Sequence, residues 1–585
     1  MKTPAAKRLL CLMLGLSLMT GCGEKASTVS TPGSTTEFGS IPEESTQESA
    51  VQQQKVHGTF TMPCNVSYSF DPYSTLSMEN QAVIDLVYEG LFTMNPSYDP
   101  EPMLCESYTV SEDGMQYTLT LRDACFSNGN TLTADDVYYS MEKARDSELY
   151  DARFRDIDSF EVTSPNTIVI YLANPNDRLP CMLDFPIVPS FSATANALGT
   201  GPYVRNGTSG LTKNRYWWQG AENLAVDSIS LYVSNSAEDT RDHFEVNDLH
   251  FVYTDPLSFS AATYHGDYEL WNGGGTTMQY LGFNTSNGIF QDTALRSAVL
   301  RAIDRTEIAE TVYHNYADAA ALPLSPSSSM YDESLALNYS YDRETALSQL
   351  LASSSFYLPD NHPVVTGKIY DEDFDLDEYI DTITGNRSDD EEEPEDEDTQ
   401  SDEPAPEEEE LLPEEAEDSL LEEDRYTDTT AYNKITLILI SGNAYRSESA
   451  ELVAEQLIKV GFSVTVEEMD YNSFIYTMNN SNDTWDLYLM DVTLTPDFDL
   501  RSILYSGNKL HYNNVPEDET LRDLYYNALE NSGNRYDLYQ HLMDNAYLCP
   551  ILFENNAIFT SRGLFSGLNP APGNLFYGIT NMTVN

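Results

Sequence analysis

The sequence is poor in positive charge, in paired cysteines and in long apolar runs, and each shortage removes a class of protein. Lys and Arg total 30 against 95 Asp and Glu, a formal net charge of -65 over 585 residues. Nucleic acid and anionic lipid repel so anionic a chain, so no nucleic-acid partner is expected. Of the seven cysteines, Cys11 and Cys22 lie near the N-terminus. The other five, Cys64, Cys105, Cys125, Cys181 and Cys549, are odd in number and nowhere spaced C-x-x-C. Isolated buried thiols are therefore expected rather than a disulfide framework or a zinc site, with a single Cys105–Cys125 bridge as the alternative. The eight histidines show no close pair at ligand spacing, so neither metal nor cofactor is expected. Catalytic signatures are missing too: there is no G-x-S-x-G, no H-E-x-x-H, no phosphate loop and no G-x-G-x-x-G after a strand. Gly273-Gly274-Gly275 precedes a strand pattern, not a helix, and reads as a linker or hinge. The expectation is a protein that is not an enzyme. No repeat period is evident.

What is present starts with a layout for export. Lys2, Lys7 and Arg8 precede an apolar run from Leu9 to Met19 and small residues at Thr20 and Gly21, and the run is shorter than the ~20 residues of a spanning helix. Residues 1–21 are read as a signal peptide. Met19-Thr20-Gly21-Cys22 resembles the lipobox of bacterial lipoproteins, which implies lipidation of Cys22 and attachment to a membrane; two acyl chains hold where one binds marginally. Residues 22–56, rich in Ser, Thr, Glu, Gln, Gly and Pro, read as a flexible tether.

The folded region begins near His57. Gln81 to Leu91 carries helical spacing, Met115, Tyr117, Leu119 and Leu121 alternate as a half-buried strand, and Thr133 with Asp136 opens a helix. Ile435–Ile440, then Ala450, Val453, Ala454, Leu457 and Ile458, then Gly461 and a second strand, form a βαβ unit with parallel strands. Between these, Asp371 to Asp428 holds 30 acidic residues and two basic ones, Arg387 and Arg425. Self-repulsion predicts an unstructured acidic insertion. The class is mixed α/β, and the length predicts two or three lobes.

Several segments together resemble one family, the extracytoplasmic solute-binding proteins of ABC importers known as family 5, the oligopeptide, dipeptide and nickel type. They are Val87 to Ala144, including Tyr88-Glu89-Gly90-Leu91 and Leu132-Thr133-Ala134-Asp135-Asp136-Val137, then "GTGPYV" (Gly199 to Val204), "KNRYWW" (Lys213 to Trp218) and Tyr280 to Ile308. The resemblance implies a two-lobed, hinged periplasmic-binding-protein-like fold with an additional lobe and a cleft between lobes I and III. It places lobe I at 57–78, 198–278 and 547–585, lobe II at 79–197, and lobe III at 279–546 with the acidic insertion inside it. It puts the interlobe crossings near Met278 to Asn284 and Cys549 to Glu554. It further implies a monomeric receptor that captures a short peptide and delivers it to an ABC permease and ATPase complex. Tyr280, Phe283, Asn284, Tyr488 and Asp491 are the candidate ligand contacts. The family's acidic residue for a peptide amine aligns with Val492, one position from Asp491, and alternation turns adjacent strand residues to opposite faces. Two other readings stand beside this one: the same fold holding a nickel chelate, an oligosaccharide or a cell-wall fragment, and a surface chaperone, adhesin or sensor working through the acidic insertion.

Overall fold

The run Ile435–Ile440 is apolar on both faces and needs cover on both. It has that cover inside a six-stranded sheet whose order is Ala317–Ala319, Leu548–Glu554, Thr277–Phe283, Leu487–Thr493, Lys434–Ile440, Ser463–Met469. The structure is a computed structural model and describes residues 58–191, 198–255, 264–384, 430–505 and 515–585. The expected signal, Cys22, the tether and most of the acidic insertion lie outside the described residues. Lys434–Ile440 pairs in parallel with Ser463–Met469, with the helix Ala444–Ile458 between them. Gly461 turns the chain back at a φ of +100°, a conformation open to glycine.

The chain passes twice between this sheet and a three-stranded one made of Phe251–Thr254, Ala557–Ser561 and Tyr268–Asn272. One passage is the stretch 273–276, between Tyr268–Asn272 and Thr277–Phe283; the other is 555–556, between Leu548–Glu554 and Ala557–Ser561. The crossings expected at Met278–Asn284 and Cys549–Glu554 therefore sit a few residues off, because those residues are sheet strands bonded to each other. A Cβ on Gly275 would lie 2.1 Å from the Glu554 carbonyl oxygen. The glycine cluster is thus a close approach of two backbones.

Two further four-stranded sheets complete the framework. One runs Gly58–Cys64, Val226–Val233, Gly210–Lys213, Tyr203–Arg205; the other runs Cys105–Val110, Gln116–Leu121, Thr167–Leu172, Ile157–Ser164. In the second, Tyr117, Leu119 and Leu121 are buried on one face, as their alternation requires. The Asp136 carboxylate accepts from the Thr133 backbone N–H (2.9 Å) and hydroxyl (2.7 Å) at the start of the helix Ala134–Arg145. Separate apolar clusters form around these sheets.

Two expectations are corrected. The helix read over Gln81–Leu91 spans Met78–Val87 and gives way to extended chain at Tyr88, where the Val87 carbonyl accepts from the Gly201 N–H instead of from a further helical turn. The acidic insertion, expected to be unstructured from Asp371, begins with a helix at Leu376–Thr384. Tyr379 and Ile383 bury one face of that helix, and the Tyr379 hydroxyl meets His362 Nε2 at 3.0 Å. Two apolar residues at helical spacing hold the segment despite its charge. The five described cysteines form no disulfide, and burial pushes the Cys64 and Cys105 thiols up to about 11.

A buried charge network joins segments 345 positions apart. Arg501 donates to both Asp156 oxygens (2.6 and 2.7 Å) and through Nε to Asp499 (2.9 Å), while Arg155 donates to Asp499 at 2.6 Å. Replacing Arg501 by methionine leaves two buried carboxylates short of a cation and is expected to destabilise the protein by about 3–5 kcal/mol. Denaturant titration checks this, and a loss below about 1 kcal/mol would contradict it.

Candidate functional site

A cavity of about 590 Å³ opens between the helix Met78–Val87 with the chain that follows it, Tyr150 and Arg153, Asp184, Trp217–Gln219, and the C-terminal residues 572–581. Glycine shapes the wall. A Cβ on Gly199 would meet the Val87 carbonyl oxygen at 1.9 Å, and Gly201 N–H donates to that oxygen at 2.9 Å. The "GTGPYV" stretch thereby packs against the end of the helix and turns the chain toward Trp217 and Trp218.

Carboxylates are prominent in this wall. Glu89 is buried and accepts the indole N–H of Trp217 (2.9 Å) and of Trp218 (3.1 Å to each oxygen). Burial pushes its carboxyl up to about 7, against the pull of the two indoles, Thr200 and Arg122. Asp85 accepts from Gln81 Nε2 (2.8 Å) and Leu575 N–H (3.2 Å), and burial raises it likewise to about 7. Glu101 accepts the Tyr577 hydroxyl at 2.8 Å. Arg153, the one lining cation among the described residues, donates twice to Asp184, at 2.6 and 3.1 Å. Asn556 connects the cavity to the strand crossing, its side chain donating to the Gly274 carbonyl at 3.1 Å.

A second polar group stands at the crossing itself. Asp491 accepts from Arg446 Nε (2.8 Å) and Nη2 (2.6 Å) and from Gln279 Nε2 (3.0 Å). Burial, then the neighbouring Asp491 and Asp255, push the Glu554 carboxyl up to about 8, with Arg446 opposing. Of the five candidate contacts named from sequence, Asp491 alone belongs to this group. Tyr280, Phe283 and Tyr488 are buried in the apolar core, the Tyr280 and Tyr488 rings edge to face at 5.8 Å. Asn284 donates to the carbonyls of Asn482 (2.7 Å) and Trp485 (3.0 Å), tying a strand end to a loop. None of the five lines the cavity. Sequence reasoning passed over Asp85, Glu89, Arg153, Asp184, Gln279, Arg446 and Glu554 as site residues. A signal existed for Glu89 and the two tryptophans, which fall in the two short blocks quoted for the resemblance.

The fold is that of the two-lobed periplasmic binding proteins. It matches the MppA periplasmic murein tripeptide binding protein in its unliganded open form, with a TM-score of 0.65 at 15% identity over 90% of this chain and 97% of that one. It matches the nickel ABC transporter protein of Bacillus halodurans with a TM-score of 0.63 at 17% identity over 88% and 98%. Residues 99–362 match the model of the bacterial extracellular solute-binding proteins, family 5 Middle. The Glutathione-binding protein GsiB of Shigella flexneri is 27% identical over 282 residues, 44% of this chain and 54% of the relative. The chain thus spans about half the length of the curated relatives it matches. No described helix is long and apolar enough to cross a membrane.

The raised carboxyls set a pH dependence. A group whose pKa rises on folding holds its proton more tightly in the native state, so its contribution is complete below the unfolded value and is lost as pH climbs through the folded one. For Asp85 and Glu89 that window runs from about pH 4 to about pH 7. Asp85→Asn and Glu89→Gln are each expected to flatten the fall in stability across it by roughly 1–3 kcal/mol. Melting curves at pH 4, 5.5, 7 and 8 read this out, and unchanged slopes in both variants would contradict it.

Proposed function

We propose that the protein is the solute-binding receptor of an ABC importer, that it captures short peptides between lobes, and that it passes them to a membrane permease and its ATPase. The cavity beside the double crossing carries this reading: about 590 Å³ falls within the ~300–1,000 Å³ of small-ligand sites. Two strand crossings form a hinge by which lobes close over a solute, and the solute stabilises closure by its differential affinity for the closed state. The lobe limits drawn from the resemblance are proposed with it, as is the monomer. Lipidation of Cys22 would hold the receptor beside its permease on the outer face of the membrane and raise the effective concentration of one for the other. Glu554, near Asn556 of the cavity wall and pushed up to about 8 by burial, is the carboxyl that a free amine would ionise, beside Asp491; Tyr280, Phe283, Asn284 and Tyr488 then support the strands rather than touch the solute.

Protein beginning after Cys22 tests the reading by thermal shift with di- to hexapeptides, sugars and nickel chelates. A ligand at 100 times Kd adds about 2.7 kcal/mol, an upward shift of a few degrees. The expected result is a shift with peptides that disappears on N-acetylation. A shift with a sugar or chelate and none with any peptide would sink the peptide assignment. Amine binding beside Glu554 also ionises that carboxyl, so the calorimetric enthalpy near pH 7 is expected to vary with the ionisation enthalpy of the buffer.

A further inference from the structure

We infer that the cavity selects cationic peptides, those bearing lysine or arginine, over neutral ones and rejects acidic ones, glutathione included. The inference rests on the peptide-receptor reading and deepens it. Four carboxylates line the cavity, Asp85, Glu89, Glu101 and Asp184, against the single cation Arg153. Arg153 is already engaged by Asp184 in a two-point ion pair, so that pair is neutral. The other three take their hydrogen bonds from neutral donors: indoles for Glu89, an amide and a backbone N–H for Asp85, a phenol for Glu101. Neutral donors satisfy oxygen lone pairs without cancelling charge. Glu89 also feels the Arg122 guanidinium, which lies 3.9 Å from the centre of the Trp218 ring.

Like charges enclosed in one partly desolvated space repel each other more than they would in water, and a solute cation entering that space relieves the repulsion. An entering anion adds to it. Aromatic residues line the same space, Trp218 and Tyr577 among them, and a ring face attracts a guanidinium or ammonium as well. Glutathione, with two carboxylates and one amine, carries net negative charge at neutral pH and is therefore a poor fit.

Calorimetric titration of the mature chain with Ala-Lys-Ala, Ala-Ala-Ala, Ala-Glu-Ala and reduced glutathione at pH 7.5 tests this. The expected order places Ala-Lys-Ala at least tenfold tighter than Ala-Ala-Ala, with Ala-Glu-Ala and glutathione at least tenfold weaker. Equal affinity for the lysine and alanine peptides, or tightest binding of glutathione, overturns the charge selection and leaves a peptide receptor standing. Failure of all four, with binding of a sugar or chelate, overturns the peptide reading and the inference with it. Glu89→Gln is expected to bring the Lys/Ala affinity ratio down severalfold. Glu101→Gln, in the half-buried part of the wall, gives the same readout should the Glu89 variant not fold. A ratio unchanged in a folded variant assigns the selectivity elsewhere and overturns the role given to these carboxylates.

Discussion

The structure turns on one steric constraint, the contact of two backbones where the chain crosses between sheets. At Gly275 nothing larger than hydrogen fits over the Glu554 carbonyl. Tyr98 holds that point from both sides, donating its hydroxyl to the Gly275 carbonyl at 2.7 Å and accepting from the Gly275 N–H at 3.0 Å. Tyr98 belongs to the turn between Phe92–Met94 and Pro100–Pro102, and residues of both strands line the cavity. The crossing and the cavity wall are therefore tied together by this phenol and by Asn556, which donates to the Gly274 carbonyl.

A second constraint is electrostatic. The formal charge is -65, and charge on exposed carboxylates is screened by water and salt. The few carboxylates that fold inward are treated in two ways. Asp156 and Asp499 receive guanidinium partners, and so become a structural clamp. Asp85, Glu89 and Glu101 receive neutral donors, which fixes their orientation while leaving their charge to be met from outside.

Much of the framework was legible because local rules governed it. The βαβ unit announced itself by a buried run, a helical period and a glycine at the return, and Thr133 with Asp136 marked a helix start. The alternation in Gln116–Leu121 gave its buried face. The site was far less legible. Asp85 and Glu89 are separated in sequence from Asp184, Trp217 and Tyr577, and only the fold brings them to one cavity; in a chain with 95 acidic residues no spacing singles them out. The helix boundary at Val87 was missed because the N–H that takes the Val87 carbonyl belongs to Gly201, a residue far along the chain.

The aromatic residues chosen at the crossing show why residue type misleads in a central strand. Thr277–Phe283 has neighbours on both edges and cover on both faces, so six of its seven residues are buried and Tyr280 and Phe283 have no cleft to face. A Cβ on Gly282 would meet the Tyr488 ring at 2.0 Å, so that ring lies flat over a glycine inside the sheet. Asp491 behaves differently because of register. It sits directly opposite Gln279, so both side chains emerge on one face and bond at 3.0 Å, where the helix Ala444–Ile458 brings Arg446. Its neighbour Val492 points into the core. Register alone thus sets a carboxylate near the crossing and supplies it with an arginine. Asp491 is thus engaged by Arg446, while burial pushes the Glu554 carboxyl up to about 8 against the pull of the same arginine. Glu554 stands two strands from Asp491, at the end of Leu548–Glu554 and next to the passage at 555–556.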